Sequence, residues 1–246
     1  MKTKFLNTIY RYFGYEEKPL RYNSLYLPNF RTNEALSNNV SYINSAIDQI
    51  NFLMKNCKLD INSRMLDFGC GQGRILNGLE YSKKPIKEYI GIDTDIKSIQ
   101  WCNRWLKNYT QKSRFICVSA FNQRYNKNAD GLLQTPIDNN YIDLIFLNSV
   151  FSHMLTADIK FYLKEFNRIL KKDGFIYLTA FIEDNVPKVS ENPEGYIDKS
   201  SGRLHRVRYN KEFFHKLCTE SGFNIEMFLH QGIERTKQSV VILKKN

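Results

Sequence analysis

The segment that most constrains the fold is residues 65–74, with the sequence MLDFGCGQGR. A short apolar run leads into three glycines at alternate positions, and the isoleucine–leucine pair after position 74 opens a helical pattern. This order predicts a strand, a tight turn and the start of a helix. Glycine is needed in such a turn where a ligand touches the backbone, because a Cβ would collide with the ligand. The segment therefore predicts a ligand site at the end of a buried strand.

Charge decides which ligand suits this turn. The dinucleotide fingerprint would need a third glycine where the chain has Arg74. The carboxylate of Asp67 would also repel a pyrophosphate, whereas it would attract a cation. S-adenosylmethionine carries a sulfonium and an ammonium group and no phosphate, so this cofactor fits the turn.

Four segments in chain order resemble the class I S-adenosylmethionine-dependent methyltransferases, over roughly residues 60–182. The glycine turn is the first, and residues 89–93, a strand that ends in Asp93, are the second. Residues 142–149 resemble the family's fourth strand and its exit, and residues 166–178 resemble its passage from a helix through a glycine to a strand. The resemblance implies an α/β fold, with a seven-stranded, mostly parallel sheet flanked by helices and an antiparallel last strand.

The resemblance also implies how the cofactor would be held. Asp93 would accept hydrogen bonds from the ribose hydroxyls, and Asp67 and the backbone of the turn would hold the methionine end. The other positions that match the family's cofactor site are Phe68, Gly69, Cys70, Gly71, Gly73, Thr94, Ser119, Ala120, Phe121 and Asn148. Many relatives carry an acid where this chain has Ser119, so Asn122 or backbone groups would have to hold the adenine amino group here. Methyl transfer from this cofactor requires no metal, and its product is S-adenosylhomocysteine.

The segment after the fourth strand, residues 148–154, bears on the acceptor. Enzymes that methylate planar nitrogens usually carry an Asn/Asp-Pro-Pro-aromatic signature there, and this chain lacks both prolines as well as the Pro-Cys pair used on cytosine carbon. His153 has a side chain that titrates near neutral pH, so it is the candidate general base, or else it caps or packs at the start of a helix. Residues 149–154 resemble bacterial methyltransferases associated with small molecules, sugars and surface glycans.

These observations predict methylation of a small-molecule or glycan hydroxyl. One alternative is N-methylation of a non-planar amine, such as an amino sugar. Methylation of RNA is a further alternative, although no RNA-binding appendage is recognisable and nucleic acid is not a predicted partner. A module that binds the cofactor without turning it over is the alternative outside enzymes.

Residues 1–38 form a region of their own, in which aromatic and basic residues alternate and two prolines prevent one continuous helix. We predict an arm or lid over the acceptor pocket, in which Tyr22 and Tyr26 offer aromatic faces to a ring-shaped substrate. Packing of these side chains on the core is the alternative, and both roles are compatible. Residues 39–246 are predicted to form the methyltransferase domain.

A basic segment at residues 199–211 precedes the last long helix. In this fold it borders the acceptor site, where Arg203, Arg206 and Arg208 would suit a phosphate, a carboxylate or a nucleotide carrier. A solvated charged surface is the alternative. The net charge of +11 is spread along the chain, so the base composition of the source genome explains it as well as an anionic partner does.

Bulk composition bounds the remaining possibilities. A chain of 246 residues with 42% apolar residues fits one domain with an appendage. No uncharged apolar run approaches the roughly eighteen residues of a membrane span. The five cysteines, without a CxxC pair, favour neither a disulfide framework nor a zinc site, so we expect a cytoplasmic protein with reduced thiols.

Apolar periodicity predicts the secondary structure. Helices are expected at 39–55, 74–81, 96–105, 156–170 and 210–221, and strands at 65–68, 87–93, 114–118, 142–148, 175–182, 223–229 and 239–243. Ile96 is expected on the apolar face of the third helix. Thr156 and Asp158 are predicted to be capping and first-turn residues of the fourth helix, and the Asp173-Gly174 pair is predicted to end it. Residues 122–140 and 183–203 are predicted to be projecting loops.

Overall fold

The computed structural model describes residues 18–29, 38–118, 134–195, 206–233 and 236–246. Its strands are β1 (Leu20–Tyr22), β2 (Leu25–Leu27), β3 (Arg64–Phe68), β4 (Glu88–Asp93), β5 (Ser113–Cys117), β6 (Ile142–Leu147), β7 (Leu170–Glu183), β8 (Val189–Glu191), β9 (Val207–Asn210), β10 (Phe223–Ile233) and β11 (Gln238–Lys245). Its α-helices are α1 (Asn39–Asn56), α2 (Arg74–Ser82), α3 (Ile96–Trp105), α4 (Thr156–Ile169) and α5 (Lys211–Glu220), and a 3₁₀ helix spans Phe151–His153.

The central sheet has the strand order β10-β11-β7-β6-β3-β4-β5. Strands β5, β4, β3, β6 and β7 are parallel neighbours, and β11 is antiparallel to both β7 and β10. The predicted fold class, a mostly parallel seven-stranded sheet with an antiparallel last strand, is confirmed. The carboxyl ends of the parallel strands share one edge, where sheets of this kind bind ligands.

Both faces of the sheet are covered by helices. One apolar core lies between the sheet and helices α4 and α5, and a second lies between the sheet and helices α1, α2 and α3. Neighbouring strand residues alternate between the two cores, as Leu66 does with Met65. Burial on both faces is usual for parallel strands and explains why their sequences are continuous apolar runs. Among the described helices, none combines the length and the apolarity that a membrane span requires.

A short hairpin precedes the central sheet. Strands β1 and β2 pair antiparallel, and Leu25 and Leu27 of β2 pack against Tyr42 and Ile43 of α1. This hairpin is part of the predicted 1–38 arm; residues 1–17 and 30–37 of that arm lie outside the described residues. The division into an arm and a domain stays a prediction.

The predicted end of α4 is wrong. The helix ends at Ile169, and Leu170 begins strand β7 without an intervening glycine cap. Asp173, not Gly174, has the left-handed backbone, with φ of 62°. Gly174 is needed for space, because a Cβ there would lie 2.8 Å from Cγ of Leu170. The glycine therefore allows a close contact at the start of the strand, where the register between β6 and β7 shifts.

Three smaller expectations also need correction. The residue that caps α4 is Leu155, with Thr156 the first helical residue, while the Asp158 carboxylate accepts the Leu155 N–H at 3.4 Å. Ile96, expected on the apolar face of α3, is half exposed. The predicted loop at 183–203 contains strand β8, which pairs antiparallel with β9, and β9 in turn pairs parallel with the carboxyl end of β7.

Candidate active site

The glycine turn joins β3 to α2 at the carboxyl edge of the sheet. Gly69, Gly71 and Gly73 all have positive φ angles, of 86°, 51° and 73°. A Cβ on Gly69 would lie 2.5 Å from Cγ2 of Val150, and a Cβ on Gly73 would lie 2.5 Å from Cδ1 of Leu106. A Cβ on Gly71 would meet no atom within 4 Å. The outer glycines thus allow tight packing, and the central glycine faces open space that a ligand can enter.

The turn is bonded to the end of β4. The backbone N–H groups of Gly69 and Cys70 both donate to the carbonyl of Ile92, at 2.8 and 3.0 Å. The Gly71 N–H donates to Oδ2 of Asp93 at 2.8 Å, and the Asp95 N–H donates to Oδ1 at 2.9 Å. Each carboxylate oxygen of Asp93 retains a second acceptor site, which suits the two ribose hydroxyls. Burial raises the pKa of Asp93 above its usual range.

Asp67 lies in β3 behind the turn. Its side chain is 3% exposed, and the Tyr89 hydroxyl donates to its Oδ2 at 2.5 Å. Burial raises the pKa of Asp67 to about 6, against the opposing effects of the Tyr89 hydrogen bond and the positive charge of Arg74. The carboxylate that we assign to the methionine end therefore titrates close to neutral pH.

Arg74, the first residue of α2, starts a chain of polar contacts that the sequence did not predict. Its guanidinium donates to Oγ of Ser45 at 3.3 Å and to Oε1 of Gln49, both on α1. Gln49 Nε2 in turn donates to Oδ1 of Asn148 at 3.2 Å, at the exit of β6. The only sequence signal for this relay is that Ser45 and Gln49 are four positions apart and share one helix face.

The exit of β6 is a strained turn held by side chains. Ser149 has φ of 60°, which is uncommon for a residue other than glycine. Its N–H donates to Oγ1 of Thr179 at 2.8 Å, and the Thr179 hydroxyl donates to Oε1 of Gln238 at 2.6 Å. Gln238 also donates from Nε2 to the Ser149 hydroxyl at 2.9 Å. Because β11 is antiparallel, its first residue, Gln238, arrives at the edge where β6 and β7 end.

His153 ends the 3₁₀ helix that follows this turn. Phe151 of the same helix is fully buried, while His153 is partly exposed and its N–H donates to the Val150 carbonyl at 3.0 Å. The Tyr209 hydroxyl of β9 donates to the Met154 carbonyl and so ties the helix end to β9. His153 therefore lies beside the ribbon formed by β7, β8 and β9, on the carboxyl side of the sheet.

The two described arginines of the basic segment are on or next to β9. The Arg208 guanidinium lies 3.5 Å from a carboxylate oxygen of Glu183. The Arg206 guanidinium lies over the Phe181 ring, 5.7 Å from its centroid. The ribbon thus brings both cations to the carboxyl edge of the sheet, where His153 also lies. Arg203, Ser119, Ala120, Phe121 and Asn122 lie outside the described residues.

Tyr22 and Tyr26 contact the helical layer. Tyr22 stacks on Tyr81 with centroids 6.3 Å apart, and the Tyr26 ring lies 5.6 Å from that of Trp105. The Tyr26 N–H donates to the Tyr109 hydroxyl at 2.7 Å.

A hydrogen-bond chain continues from Tyr109 to the glycine turn. The Tyr109 hydroxyl donates to Oδ1 of Asn77 at 2.7 Å, and Asn77 Nδ2 donates to the Gly73 carbonyl at 3.2 Å. The hairpin therefore supports the glycine turn from behind, through its backbone.

The remaining predicted positions lie within the same turn and strand end. The Phe68 ring packs in the core, 4.9 Å from Tyr162, so only its backbone faces the turn. Burial raises the pKa of the Cys70 thiol well above its usual range, which keeps this thiol protonated. Thr94 is partly buried, and its carbonyl lies 4.0 Å from the thiol of Cys117 at the end of β5.

Comparison with known proteins gives one family match. Residues 66–178 match the family described as a methyltransferase domain, from the middle of β3 to the middle of β7. The match therefore spans the glycine turn, Asp93, the β6 exit and His153.

Solved structures share the fold at low sequence identity. An S-adenosylmethionine-dependent methyltransferase from Methanosarcina mazei is similar with a TM-score of 0.54 and 16% identity, over 79% of this chain and 96% of that one. The 1,6-didemethyltoxoflavin-N1-methyltransferase from Burkholderia thailandensis, with 1,6-didemethyltoxoflavin and S-adenosylhomocysteine bound, is similar with a TM-score of 0.53 and 14% identity, over 83% of this chain and 78% of that one. A putative O-methyltransferase from Nostoc punctiforme is similar with a TM-score of 0.56 and 17% identity, over 82% of this chain and 56% of that one.

Proposed function

We propose that the chain is a class I S-adenosylmethionine-dependent methyltransferase and that its acceptor is a hydroxyl group on a small molecule or glycan. The described residues fit the cofactor. Gly71 leaves room above the turn, Asp93 keeps acceptor sites for the ribose, and Asp67 provides negative charge near the methionine end. When bound, S-adenosylmethionine supplies an already activated methyl group, so the protein has to align the acceptor and remove its proton.

We assign proton removal to His153. An alcohol is too weak an acid to lose its proton unaided, so a base must accept that proton as the new oxygen–carbon bond forms. The imidazole takes up the proton, and the electron pair of the broken sulfur–carbon bond stays on the sulfur atom. Of the three histidines in the described ranges, His153 alone follows the carboxyl end of a parallel strand, whereas His215 is in α5 and His230 is in β10. This position is the observation that carries the proposal.

The ribbon beside His153 supports an acceptor that carries negative charge. Arg206 and Arg208 are at the same carboxyl edge of the sheet as His153, and Arg203 belongs to the same segment of the chain. Guanidinium groups bind phosphate and carboxylate oxygens in pairs. We propose that the three arginines contact such a group. Tyr22 and Tyr26, which were expected to face the acceptor, pack instead on Tyr81 and Trp105 of the helical layer.

A panel of matched acceptors tests this function. The protein is incubated with S-adenosylmethionine and with pairs of sugars and phenols that differ only in carrying a hydroxyl or an amine at one position. Formation of S-adenosylhomocysteine is measured, with and without a phosphate on each acceptor. We expect turnover on hydroxyl acceptors and a preference for the phosphorylated ones. Turnover confined to the amines would contradict O-methylation and favour the N-methylation of an amino sugar.

The fold alone does not select the acceptor atom. The similar structures include an N1-methyltransferase and a putative O-methyltransferase at nearly the same TM-score. The shared fold is therefore compatible with both acceptor atoms, and the choice between them depends on the side chains at the β6 exit.

A further inference from the structure

We propose that Arg74 and Gln49 fix the side chain of Asn148 so that its NH₂ group points into the active site and binds an oxygen atom of the bound ligand. Gln49 is then a positioning residue, which acts through Asn148. The inference rests on the proposed function only for the location of the site, and it holds for any methyl acceptor.

The first step is the orientation of Gln49. An arginine guanidinium has only N–H donors, so the Gln49 atom that faces Arg74 must be the carbonyl oxygen. Ser45, the other partner of this guanidinium, uses its own hydroxyl proton on the Tyr42 carbonyl and so accepts from Arg74 as well. The NH₂ group of Gln49 consequently faces the other way, toward Asn148.

The second step is the orientation of Asn148. Because Gln49 offers an N–H donor at 3.2 Å, the Asn148 atom that faces it must be Oδ1. The opposite side of the amide, Nδ2, then carries two donor protons. Within the described residues, Gln49 is the one hydrogen-bond partner recorded for the Asn148 side chain. The amide orientation follows from the chain of donors and acceptors, beginning at a residue that cannot accept.

The third step is the position of Asn148. It follows Leu147, the last residue of β6, and it is partly exposed at the carboxyl edge. Val150, two positions later, is the residue that a Cβ on Gly69 would strike. The β6 exit therefore lies against the glycine turn, and the Asn148 donors are next to the place assigned to the methionine end.

The chemistry of the NH₂ group selects an oxygen. A protonated amine has no lone pair to accept a hydrogen bond, whereas carboxylate, hydroxyl and carbonyl oxygens all accept one. Two such oxygens can reach this place, the methionine carboxylate of the cofactor and an oxygen of the acceptor. Both oxygens would accept the same hydrogen bond from Asn148. Two probes, one with and one without the methionine carboxylate, distinguish them.

The deciding variant is Gln49→Glu, which reverses the polarity of the relay. A carboxylate at position 49 still pairs with Arg74 but offers only acceptor oxygens to Asn148. Asn148 must then turn its NH₂ group toward position 49 and its carbonyl oxygen toward the site. Ser45→Ala is the matched control, because it removes the other Arg74 contact on the same helix face and leaves the Gln49–Asn148 hydrogen bond intact.

The measurement is the NMR signal of the Asn148 side-chain NH₂ group in the full-length protein, identified by its loss in Asn148→Asp. In the ligand-free wild type and in Ser45→Ala, we expect hydrogen exchange close to that of a solvent-exposed amide. In Gln49→Glu, the new hydrogen bond should slow exchange by about tenfold, the effect of roughly one net hydrogen bond. Equal signals and equal exchange rates in the wild type and Gln49→Glu would overturn the relay.

Two probes then identify the oxygen. S-adenosylhomocysteine carries the methionine carboxylate, and 5′-methylthioadenosine lacks it. A shift of the Asn148 signal with the first compound alone assigns the carboxylate, and Gln49→Glu should then bind that compound about tenfold more weakly. No shift with either compound, together with a shift on adding a hydroxyl acceptor, assigns the acceptor oxygen. A wild-type signal that none of these compounds moves would overturn the role of Asn148 in ligand binding. If the acceptor proves not to be a hydroxyl, the measurements on the ligand-free protein are unaffected. The proposed acceptor and the proposed orientation of Asn148 can therefore be refuted independently.

Discussion

The two halves of the proposed active site, a cofactor side and an acceptor side, are built in different ways. On the cofactor side, the glycine turn is bonded to β4 by backbone groups and by Asp93, which is 22 positions from Gly71. On the acceptor side, the turn at Ser149 depends on side chains from Thr179 and Gln238, which are 30 and 89 positions away. A short-range backbone turn needs a fixed spacing of glycines and one acid, whereas the acceptor side needs several distant strands to meet. Variants that affect one half and spare the other test this division.

The largest expected effect is on the acceptor side. Replacing His153 with alanine should lower turnover by about 10²–10⁴-fold, the usual contribution of a general base. The affinity for S-adenosylhomocysteine should stay within about twofold, because we assign the imidazole to the acceptor and not to the cofactor. Turnover is measured as S-adenosylhomocysteine formed, and affinity is measured by calorimetry.

His215→Ala is the matched control for this variant. His215 is in α5 and packs against Phe228 of β10, so its replacement should leave turnover unchanged. If His153→Ala keeps its turnover, His153 is structural and the base must come from another segment. A parallel loss of cofactor affinity would show that the two halves are not separable at this residue.

The next largest effect is on the cofactor side. Asp93→Ala should weaken S-adenosylhomocysteine binding by about 1–3 kcal/mol, because the ribose hydroxyls and the Gly71 N–H would lose their acceptor. Calorimetry at neutral pH measures the change. Asp184→Ala removes an exposed carboxylate that pairs with Lys211 and serves as the control. Unchanged affinity in Asp93→Ala would remove the assignment of this residue to the ribose.

Asp67 predicts a pH dependence that is confined to the cofactor side. Its pKa of about 6 means that its negative charge develops mostly between pH 5 and 7. Affinity for S-adenosylhomocysteine should therefore rise by about tenfold over this range, because the charge attracts the cofactor ammonium group. Asp67→Asn should abolish most of the rise, leaving the part that belongs to Asp93. A pH-independent affinity in the wild type would contradict the role of Asp67.

Deprotonation of Asp67 is expected to lower the stability of the folded protein, although it raises the affinity for the cofactor. The pKa of Asp67 in the folded chain is above its ordinary value of 3.8, so the folded state binds the proton more tightly than the unfolded state does. This contribution to stability is fully present below about pH 4 and is lost as the pH rises through about 6. Denaturant titrations of the ligand-free protein at pH 4 to 7 measure the loss, and Asp67→Asn should reduce it.

The smallest expected effect is on the acceptor side, and it tests whether a change there spares the cofactor side. Tyr209→Phe removes the hydroxyl that donates to the Met154 carbonyl and should lower the free energy of unfolding by about 1 kcal/mol. Turnover should fall modestly, because the helix that carries His153 loses one support, and cofactor affinity should not change. A loss of cofactor affinity larger than the loss of turnover would contradict the separation of the two halves.

The sequence predicted the strands, turn and helix of the cofactor half because they are encoded by local spacing. The alternate glycines, the strand that ends in Asp93 and the alternation of strands and helices each follow from one short window. The mostly parallel sheet and its antiparallel last strand were accordingly confirmed.

The features that the sequence did not reveal depend on distant partners. Gln49 meets Asn148 across 99 positions, and no pattern around either residue specifies that contact. The glycine at position 174 was interpreted as a helix end, although a contact with Leu170 is what requires it. The β8–β9 ribbon escaped prediction because strands of three and four residues are too short to show a period.

The antiparallel direction of β11 also has a consequence for the order of events during synthesis. Asp93 leaves the ribosome soon after the glycine turn that it secures, whereas Ser149 waits for Gln238. At about 5–20 residues per second, Gln238 follows Asp93 by roughly seven to thirty seconds. Contacts between near neighbours also close with a smaller loss of entropy than contacts across long segments. The nascent chain is therefore expected to form a place for the cofactor while the place for the acceptor is still unfinished.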